Sequence, residues 1–82
     1  MNVIELTEKI VKSLVQNPEA VTVKEFESDD ENTILIQVMV DSDDMGRVIG
    51  KQGRTSNAIR TIVRASSYIN DNKKIDINFD NF

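Results

Sequence analysis

The chain has 82 residues, of which 39% are hydrophobic, with ten basic and fourteen acidic side chains and a net charge of −4. This length and apolar fraction fit one small folded domain. The sequence has no cysteine and no histidine, which excludes disulfides, thiol nucleophiles, the usual zinc sites and histidine-based catalysis, so we expect a non-enzymatic protein without metal or cofactor.

The beginning of the chain has no features of a membrane or secreted protein. Its first residues, MNVIELTEKI, lack the basic start and long apolar stretch of a signal peptide. No apolar run in the sequence approaches membrane-spanning length. We therefore expect a cytoplasmic protein that does not insert into a membrane.

The first half of the chain predicts a helix followed by a β-hairpin. Apolar side chains recur at helical spacing over residues 3–15, and Asn17-Pro18 ends this helix. Residues 20–27 alternate loosely, as in an edge strand with charges on its outer side. Residues 33–40 form an almost continuous β-branched run, typical of a strand that is buried on both faces or central in its sheet. The short polar turn between the two strands predicts antiparallel pairing.

The segment 41–49 predicts a short helix with an aspartate-rich start. Asp41 or Ser42 can cap this helix, and Asp43 and Asp44 suit its positive N-terminal end. We interpret these aspartates as helix-end residues rather than as a metal site.

A longer helix is expected from about residue 54 to residue 69. A final strand of alternating apolar residues covers 75–79, and its helical crossover predicts parallel pairing with strand 33–40. At about 100° per residue, the long helix has an expected core side of Thr55, Ala58, Ile59, Ile62, Ser66 and Ile69. Its expected opposite side consists of Arg54, Asn57, Arg60, Thr61, Arg64 and Tyr68.

The element order helix, strand, strand, helix, helix, strand predicts an α+β fold. The two strand pairings place strand 33–40 in the middle of a three-stranded mixed sheet. We expect the three helices to cover one face of that sheet.

Positive charge is concentrated in the middle of this acidic chain. Between Asp44 and Asp71 the sequence has five basic residues and no acidic one, which gives +5, while five bases and fourteen acids elsewhere give −9. The net charge argues against a generic nucleic-acid binder, but this distribution allows one basic site in an acidic frame. The five basic residues are Arg47, Lys51, Arg54, Arg60 and Arg64.

All three glycines lie in the same segment, GRVIGKQGR, at positions 46, 50 and 53. This spacing fits neither a Walker A loop nor a dinucleotide-binding fingerprint. A calcium loop is also excluded, because Met45 and Gln52 stand where oxygen ligands are needed. What remains is a G-x-x-G tetrapeptide, Gly50-Lys51-Gln52-Gly53, between two closely spaced helices.

The chemistry of this tetrapeptide favours contact with a sugar–phosphate backbone. Glycines at 50 and 53 remove side chains that would keep such a backbone at a distance. The helix that follows is expected to present free N–H groups and the positive end of its dipole. Lys51 and Arg54 add positive charge beside them. Gly46 is assigned to the short helix as a close-packing or flexibility position, without a ligand.

Together, the stretch MGRVIGKQGRTSNAIRTIV, the NPEAV turn and the order of elements resemble a type II KH domain, and they are similar to the bacterial single-KH family KhpA (also YlqC). The resemblance covers a single domain over 1–82, with a core at about 32–80 preceded by a helix and strand at about 2–27. It implies non-catalytic binding of single-stranded RNA, in which the loop clamps about four nucleotides. The bases would lie in a groove between the two helices and the edge of strand 33–40.

The resemblance also implies which residues bind RNA. Val48, Ile49 and Ile59 would line the groove or belong to the core, and Arg60 and Arg64 would contact RNA or form a solvated face. The expected RNA-binding residues are Gly50, Lys51, Gln52, Gly53, Arg54, Arg47, Val48 and Ile49, with Asn57, Ile59, Arg60 and Arg64 as further candidates.

The KhpA resemblance implies protein partners as well. These are a second copy of the chain, as a homodimer, and a KhpB-like protein (also Jag or EloR) that joins a KH domain to a second nucleic-acid-binding domain. Such a pair would act as an RNA chaperone or post-transcriptional regulator linked to cell elongation, division and cell-wall organisation. Two alternatives remain open: a protein-interaction module, or a ribosome-assembly factor that binds ribosomal RNA.

Overall fold

The computed structural model describes residues 2–70 and 72–82. Within these residues the elements follow the predicted order, with short 3₁₀ turns before β1, before α2 and between α2 and α3. None of the helices in the described ranges is long and apolar enough to cross a membrane. The helices are α1 (Val3–Leu14), α2 (Met45–Ile49) and α3 (Arg54–Asn70), and the strands are β1 (Thr22–Phe26), β2 (Thr33–Val40) and β3 (Lys74–Asn81).

Both predicted strand pairings are confirmed. The sheet has the order β1-β2-β3. β1 runs antiparallel to β2, with Val23 opposite Val38, and β2 runs parallel to β3, with Ile36 opposite Ile77. Because β2 pairs on both sides, it is the central strand, and the free edges of the sheet belong to β1 and β3.

The hydrophobic core lies between the sheet and the helix layer. Alternate side chains of β2 and β3 point towards the helices, whereas their neighbours in β2 are only half-buried and those in β3 are mostly exposed. The core side chains that meet between the layers are Val11, Ile34, Ile36, Val38, Val40, Val48, Ile59, Val63, Ile75, Ile77 and Phe79.

The buried side of α3 differs from the predicted one. It consists of Ser56, Ile59, Val63 and Ser67. Ile62 and Ile69, expected in the core, are 50% and 80% exposed. The predicted core side is therefore wrong at Ala58, Ile62 and Ile69, whereas Ile59 is buried and Thr55 and Ser66 are half-buried.

Two serines lie on the buried side of α3. The Ser56 hydroxyl donates to the carbonyl of Gly53 at 3.1 Å, and the Ser67 hydroxyl donates to the carbonyl of Lys73 at 3.0 Å. A hydroxyl that finds such a partner can be buried at little cost. Each serine thereby fixes α3 to the loop at one of its ends.

The aspartates before α2 have two different roles. Asp41 caps the 3₁₀ turn, and its carboxylate accepts from the Asp43 N–H at 2.9 Å, as predicted. Asp44 is fully buried. Its carboxylate accepts from the backbone N–H groups of Gln16 and Asn17, both at 3.0 Å, and from the Asn17 side chain at 3.1 Å. Asp44 therefore joins the segment after α1 to the start of α2.

These hydrogen bonds keep Asp44 ionised. The bond from the Gln16 N–H makes the largest contribution that lowers its pKa below the ordinary value of 3.8, against the opposing effect of burial. The Arg47 guanidinium, whose Nε lies 3.5 Å from Asp44 Oδ1, acts in the same direction.

Candidate nucleic-acid interface

The G-x-x-G tetrapeptide forms a tight turn between α2 and α3. α2 ends when Gly50 adopts φ 76° and ψ 173°, and Lys51–Gly53 make a single 3₁₀ turn before α3 begins at Arg54. The Gly50 N–H donates to the Gly46 carbonyl at 2.9 Å, and the Gly53 N–H donates to the Gly50 carbonyl at 3.2 Å. The loop is thus a hydrogen-bonded structure with a defined shape.

The two glycines of this turn are constrained to different degrees. Gly50 occupies a region of backbone space that is essentially restricted to glycine. A Cβ at Gly50 would also overlap Thr55 Oγ1 and would lie only 2.8 Å from the Thr55 backbone nitrogen. Gly53 has φ 76° too, but a Cβ there would meet its nearest atoms at 3.8 Å. Gly50 is required by sterics and conformation, and Gly53 by conformation alone.

Lys51 and Gln52 form the exposed tip of the turn. Gln52 has φ 58° and ψ 27°, a left-handed conformation that is unfavourable for a residue with a side chain. Strained backbone conformations of this kind cluster at functional sites. The turn therefore holds a cation and an amide out into solvent at a position where neither is needed for packing.

The N–H groups at the start of α3 are less available than the sequence suggested. The Gly53 N–H is used within the turn, and the Arg54 N–H donates to the Lys51 carbonyl. Side chains add further positive charge to the site. Lys51 and Arg54 are both exposed, and Arg47, on the last turn of α2, remains half-exposed beside Asp44.

The apolar residues assigned to the groove divide into two groups. Val48 and Ile59 have 0% and 2% exposure. They belong to the core, so they support the site from beneath and have no surface to offer a base. Ile49 is partly buried and packs against the core from the end of α2.

Gly46 does not have the close-packing role that was expected. It lies on the exposed side of α2, and a Cβ added there would meet no atom of the described residues within 4 Å. This leaves open space on the surface of α2, one helical turn before the tetrapeptide.

Arg60 and Arg64 lie along the seam between α3 and the free edge of β3. Arg60 donates from Nε and Nη2 to the Ile77 carbonyl, both at 3.3 Å, and its guanidinium lies 5.1 Å from the centre of the Phe79 ring. Arg64 Nε donates to the Ile75 carbonyl at 3.2 Å. These arginines cover carbonyl groups that an edge strand would otherwise expose.

This seam changes the position of the expected groove. The groove was predicted to have the edge of strand 33–40 as one wall. This strand is β2, which lies in the centre of the sheet and has no free edge. The sheet edge beside α2 and α3 is that of β3. Asn57, on the same side of α3, accepts from Arg60 Nη1 at 3.1 Å and lies between the tetrapeptide and the arginines. The candidate interface thus runs from the loop along α3 and β3.

Sequence reasoning missed the contribution of Asp44. Its carboxylate orients the start of α2 and contacts Arg47, so it positions one side of the loop. Three aspartates occur within four residues, and only tertiary structure distinguishes the buried one. The steric role of Thr55 against Gly50 is equally invisible in the sequence.

Known proteins are similar to this chain over most of its length. The family model described as the KH domain of KhpA and KhpB matches residues 4–79. The RNA-binding protein KhpA of Clostridium perfringens is 51% identical over 71 residues, which cover 87% of this chain and 91% of that protein. KhpA of Thermotoga maritima is 40% identical over 73 residues, covering 89% and 92%.

Solved structures show the same fold in a larger protein. Era in complex with nucleotides of 16S ribosomal RNA has a TM-score of 0.69 and 19% identity, with 96% of this chain and 29% of that one covered. Era of Aquifex aeolicus bound to GDP·AlF4⁻ has a TM-score of 0.71 and 19% identity, covering 98% and 30%. With the family model and the KhpA relatives, the chain therefore belongs to the KhpA/KhpB family of KH domains.

Proposed function

We propose that this protein binds single-stranded RNA without catalysis, and that the turn Gly50–Gly53 contacts the RNA backbone. The observation that carries this proposal is the tip of the turn, where Lys51 and Gln52 are exposed on a strained backbone between two glycines. The RNA-binding name of its KhpA relatives supports the same assignment. Arg47, Arg54 and Asn57 flank the tip and extend the polar surface available to RNA.

A charge reversal at the tip tests this proposal. We expect the double variant Lys51→Asp/Gln52→Asp to lower the affinity for a short unstructured RNA by at least about tenfold, because a phosphate loses its cation and negative charge is added. The slope of log affinity against log salt should shrink by about 0.7 for each phosphate that the variant no longer neutralises. Fluorescence anisotropy at several salt concentrations measures both quantities.

The tip variant is designed to change RNA binding without changing the fold. Both glycines remain, and aspartate tolerates the left-handed conformation of position 52, so circular dichroism and thermal unfolding should change little. Lys9→Asp/Ser13→Asp, at two exposed positions on α1, makes the same change in net charge and should retain most of the affinity. Equal affinities for wild-type protein and the tip variant would contradict the proposed site.

We also propose that the protein forms a homodimer through the outward side of α3. This apolar surface consists of Ala58, Ile62, Ala65 and Ile69, all exposed. It lies about 150° around the helix from the side that carries Arg60 and Arg64, so pairing would leave the seam accessible. Two linked sites would raise the weak affinity of one copy through effective concentration.

Light scattering after size-exclusion chromatography tests the dimer. The wild-type protein should show a mass near twice the 9.3 kDa of one chain, and Ile62→Glu should shift it to a monomer with unchanged circular dichroism. Ser13→Glu, an exposed change of equal charge on α1, should leave the mass unchanged. A monomeric wild-type protein at high micromolar concentration would refute this surface as a dimer interface.

The biological setting that we propose follows the KhpA resemblance. In it the same surface of α3 pairs with the KH domain of a KhpB-like protein, and the pair acts as an RNA chaperone or post-transcriptional regulator connected with cell elongation and division. Sequencing of RNA cross-linked to the protein in its own cell tests this role. Enrichment of messenger RNA would favour it, and enrichment confined to ribosomal RNA would favour ribosome assembly.

A further inference from the structure

An open cavity lies at the end of α3 that is opposite to the Gly50–Gly53 turn. It has a volume of about 770 Å³ and is bounded by the last turns of α3, the start of β3 and the residue before β2. We call it the distal cavity, and its lining includes Arg64, Tyr68, Lys73, Lys74 and Asn32. Ala65 also lines it and marks its border with the proposed dimer surface. Tyr68 lies 15 residues beyond Gly53, which corresponds to about 22 Å along the helix.

The lining of the distal cavity combines the two features by which proteins hold single-stranded nucleic acid. Arg64, Lys73 and Lys74 supply three positive charges for phosphates. Tyr68 is 73% exposed and offers a ring face on which a base can stack. Asp30, in the turn before β2, directs its carboxylate to the Asn32 N–H and the Thr33 hydroxyl. The charge of Lys74 also acts on this carboxylate, so Asp30 offsets part of the positive charge of the lining.

The walls of the distal cavity are held by backbone hydrogen bonds. The Lys74 N–H donates to the Asn32 carbonyl at 2.7 Å, and the Asn72 N–H donates to the Ser67 carbonyl at 2.8 Å. The Ser67 hydroxyl donates to the Lys73 carbonyl at 3.0 Å. The backbone that carries these cationic side chains is therefore ordered before any ligand binds.

The seam between α3 and β3 connects the distal cavity to the turn. Arg60 and Arg64 are both fixed to β3 carbonyls along this seam, so positive charge continues from Lys51 and Arg54 to Lys73 and Lys74. At about 3.4 Å per stacked nucleotide, the distance from the turn to Tyr68 corresponds to about seven nucleotides. An RNA strand that leaves the turn along the seam reaches the distal cavity without crossing an acidic side chain of α3, which has none.

We propose that the distal cavity is a second RNA subsite, in which a base stacks on Tyr68 and phosphates contact Arg64, Lys73 and Lys74. It extends the RNA contact beyond the nucleotides held by the turn. The inference rests on the proposed RNA binding, but its test uses residues outside the turn, namely Tyr68, Lys73 and Lys74. It predicts that affinity depends on RNA length through these residues alone.

A length series separates the two proposals. Unstructured RNAs of about four nucleotides reach only the turn, and those of about twelve reach both sites. For wild-type protein we expect the longer RNA to bind about tenfold more tightly. Tyr68→Ala and Lys73→Glu/Lys74→Glu should abolish this gain and leave the affinity for the short RNA unchanged, whereas Tyr68→Phe should keep it. The measurements should be made in the Ile62→Glu background as well, so that a long RNA cannot bridge two turns.

Amide chemical shifts of isotope-labelled protein locate the contact. The long RNA should perturb Tyr68, Lys73 and Lys74, and the short RNA should perturb only the turn. The subsite is refuted if the long RNA still binds more tightly than the short RNA in both Tyr68→Ala and Lys73→Glu/Lys74→Glu. It is also refuted if this difference in affinity disappears in the Ile62→Glu background. A third contrary result would be an oligo-aspartate peptide that perturbs the cavity when RNA does not. Failure of the short RNA to perturb the turn would instead refute the proposed function.

Discussion

Replacing Gly50 by alanine is expected to lower the free energy of unfolding by about 3 kcal/mol, through a backbone conformation that alanine avoids and an overlap that requires repacking. The overlap would be with Thr55, whose Cβ and backbone nitrogen lie 2.7 and 2.8 Å from the position of the added Cβ. The side chain of Thr55 could rotate, but its nitrogen belongs to the first turn of α3 and cannot move alone. The loss is large against a total stability of about 5–15 kcal/mol.

Gly53→Ala is the matched control for this change. It introduces the same methyl group into the same turn at the same φ of 76°, but with its nearest neighbours at 3.8 Å. We expect a loss of only about 1 kcal/mol, from the backbone conformation. Urea unfolding at neutral pH compares the two variants, and equal losses would show that the contact with Thr55 does not constrain the turn. This difference also makes Gly50 variants unsuitable for testing RNA binding.

Replacing Asp44 by asparagine is the second change with a large expected effect. The carboxylate accepts through both oxygens, from Gln16 on one side and from Asn17 on the other. The side-chain oxygen of an asparagine can accept on one side only. On the other side its NH2 group would face an N–H donor. We expect the melting temperature to fall by several degrees at pH 7, whereas Asp43→Asn, at the exposed neighbouring position, should have little effect.

The pH dependence of this effect has a defined sign. Asp44 has a folded-state pKa below its ordinary value of 3.8, so the folded protein binds the proton less readily than the unfolded chain. Its contribution to stability is therefore complete well above pH 3.8 and is lost as the pH falls through the folded-state pKa. The stability difference between wild type and Asp44→Asn should shrink as the pH is lowered from about 5 towards 2. A difference that stays constant over this range would contradict the assignment.

Acid sensitivity should not vanish completely in the Asp44→Asn variant. The Asn32 N–H, with the Thr33 hydroxyl, also lowers the pKa of Asp30, so this second carboxylate contributes stability over the same acidic range with the same sign. Thermal unfolding of Asp44→Asn, followed over that range, should still show a residual decrease in stability.

The fold could be predicted from sequence where one residue type dominates a segment. The β-branched run 33–40 predicted β2 to the residue, and Asn17-Pro18 correctly placed the end of α1 within a few residues. The position of the turn followed from Gly50 and Gly53. In each case the local preference of the backbone and the tertiary structure agree.

The rotation of α3 could not be predicted in this way. Hydrophobicity favoured Ile62 and Ile69 as core residues, but Ser56 and Ser67 are buried instead, with their hydroxyls satisfied by nearby carbonyls. Both acceptors lie within six residues of their serine, so the hydrogen bonds permit burial, while the packing of α3 on the sheet selects the side that is buried. The two isoleucines left outside the core belong to the proposed dimer surface on the outward side of α3.

The parallel pairing of β2 with β3 has a consequence for how the domain folds. Partners in this pairing, such as Gln37 and Asn78, lie 41 residues apart, and everything between them, including α2, the turn and most of the basic residues, forms the crossover. Closing so long a segment costs conformational entropy, so we expect the central sheet to be completed only when the crossover is nearly in place. The RNA-binding elements and the central sheet should then form and melt as one cooperative unit, so that a ligand on the turn protects strands it does not touch.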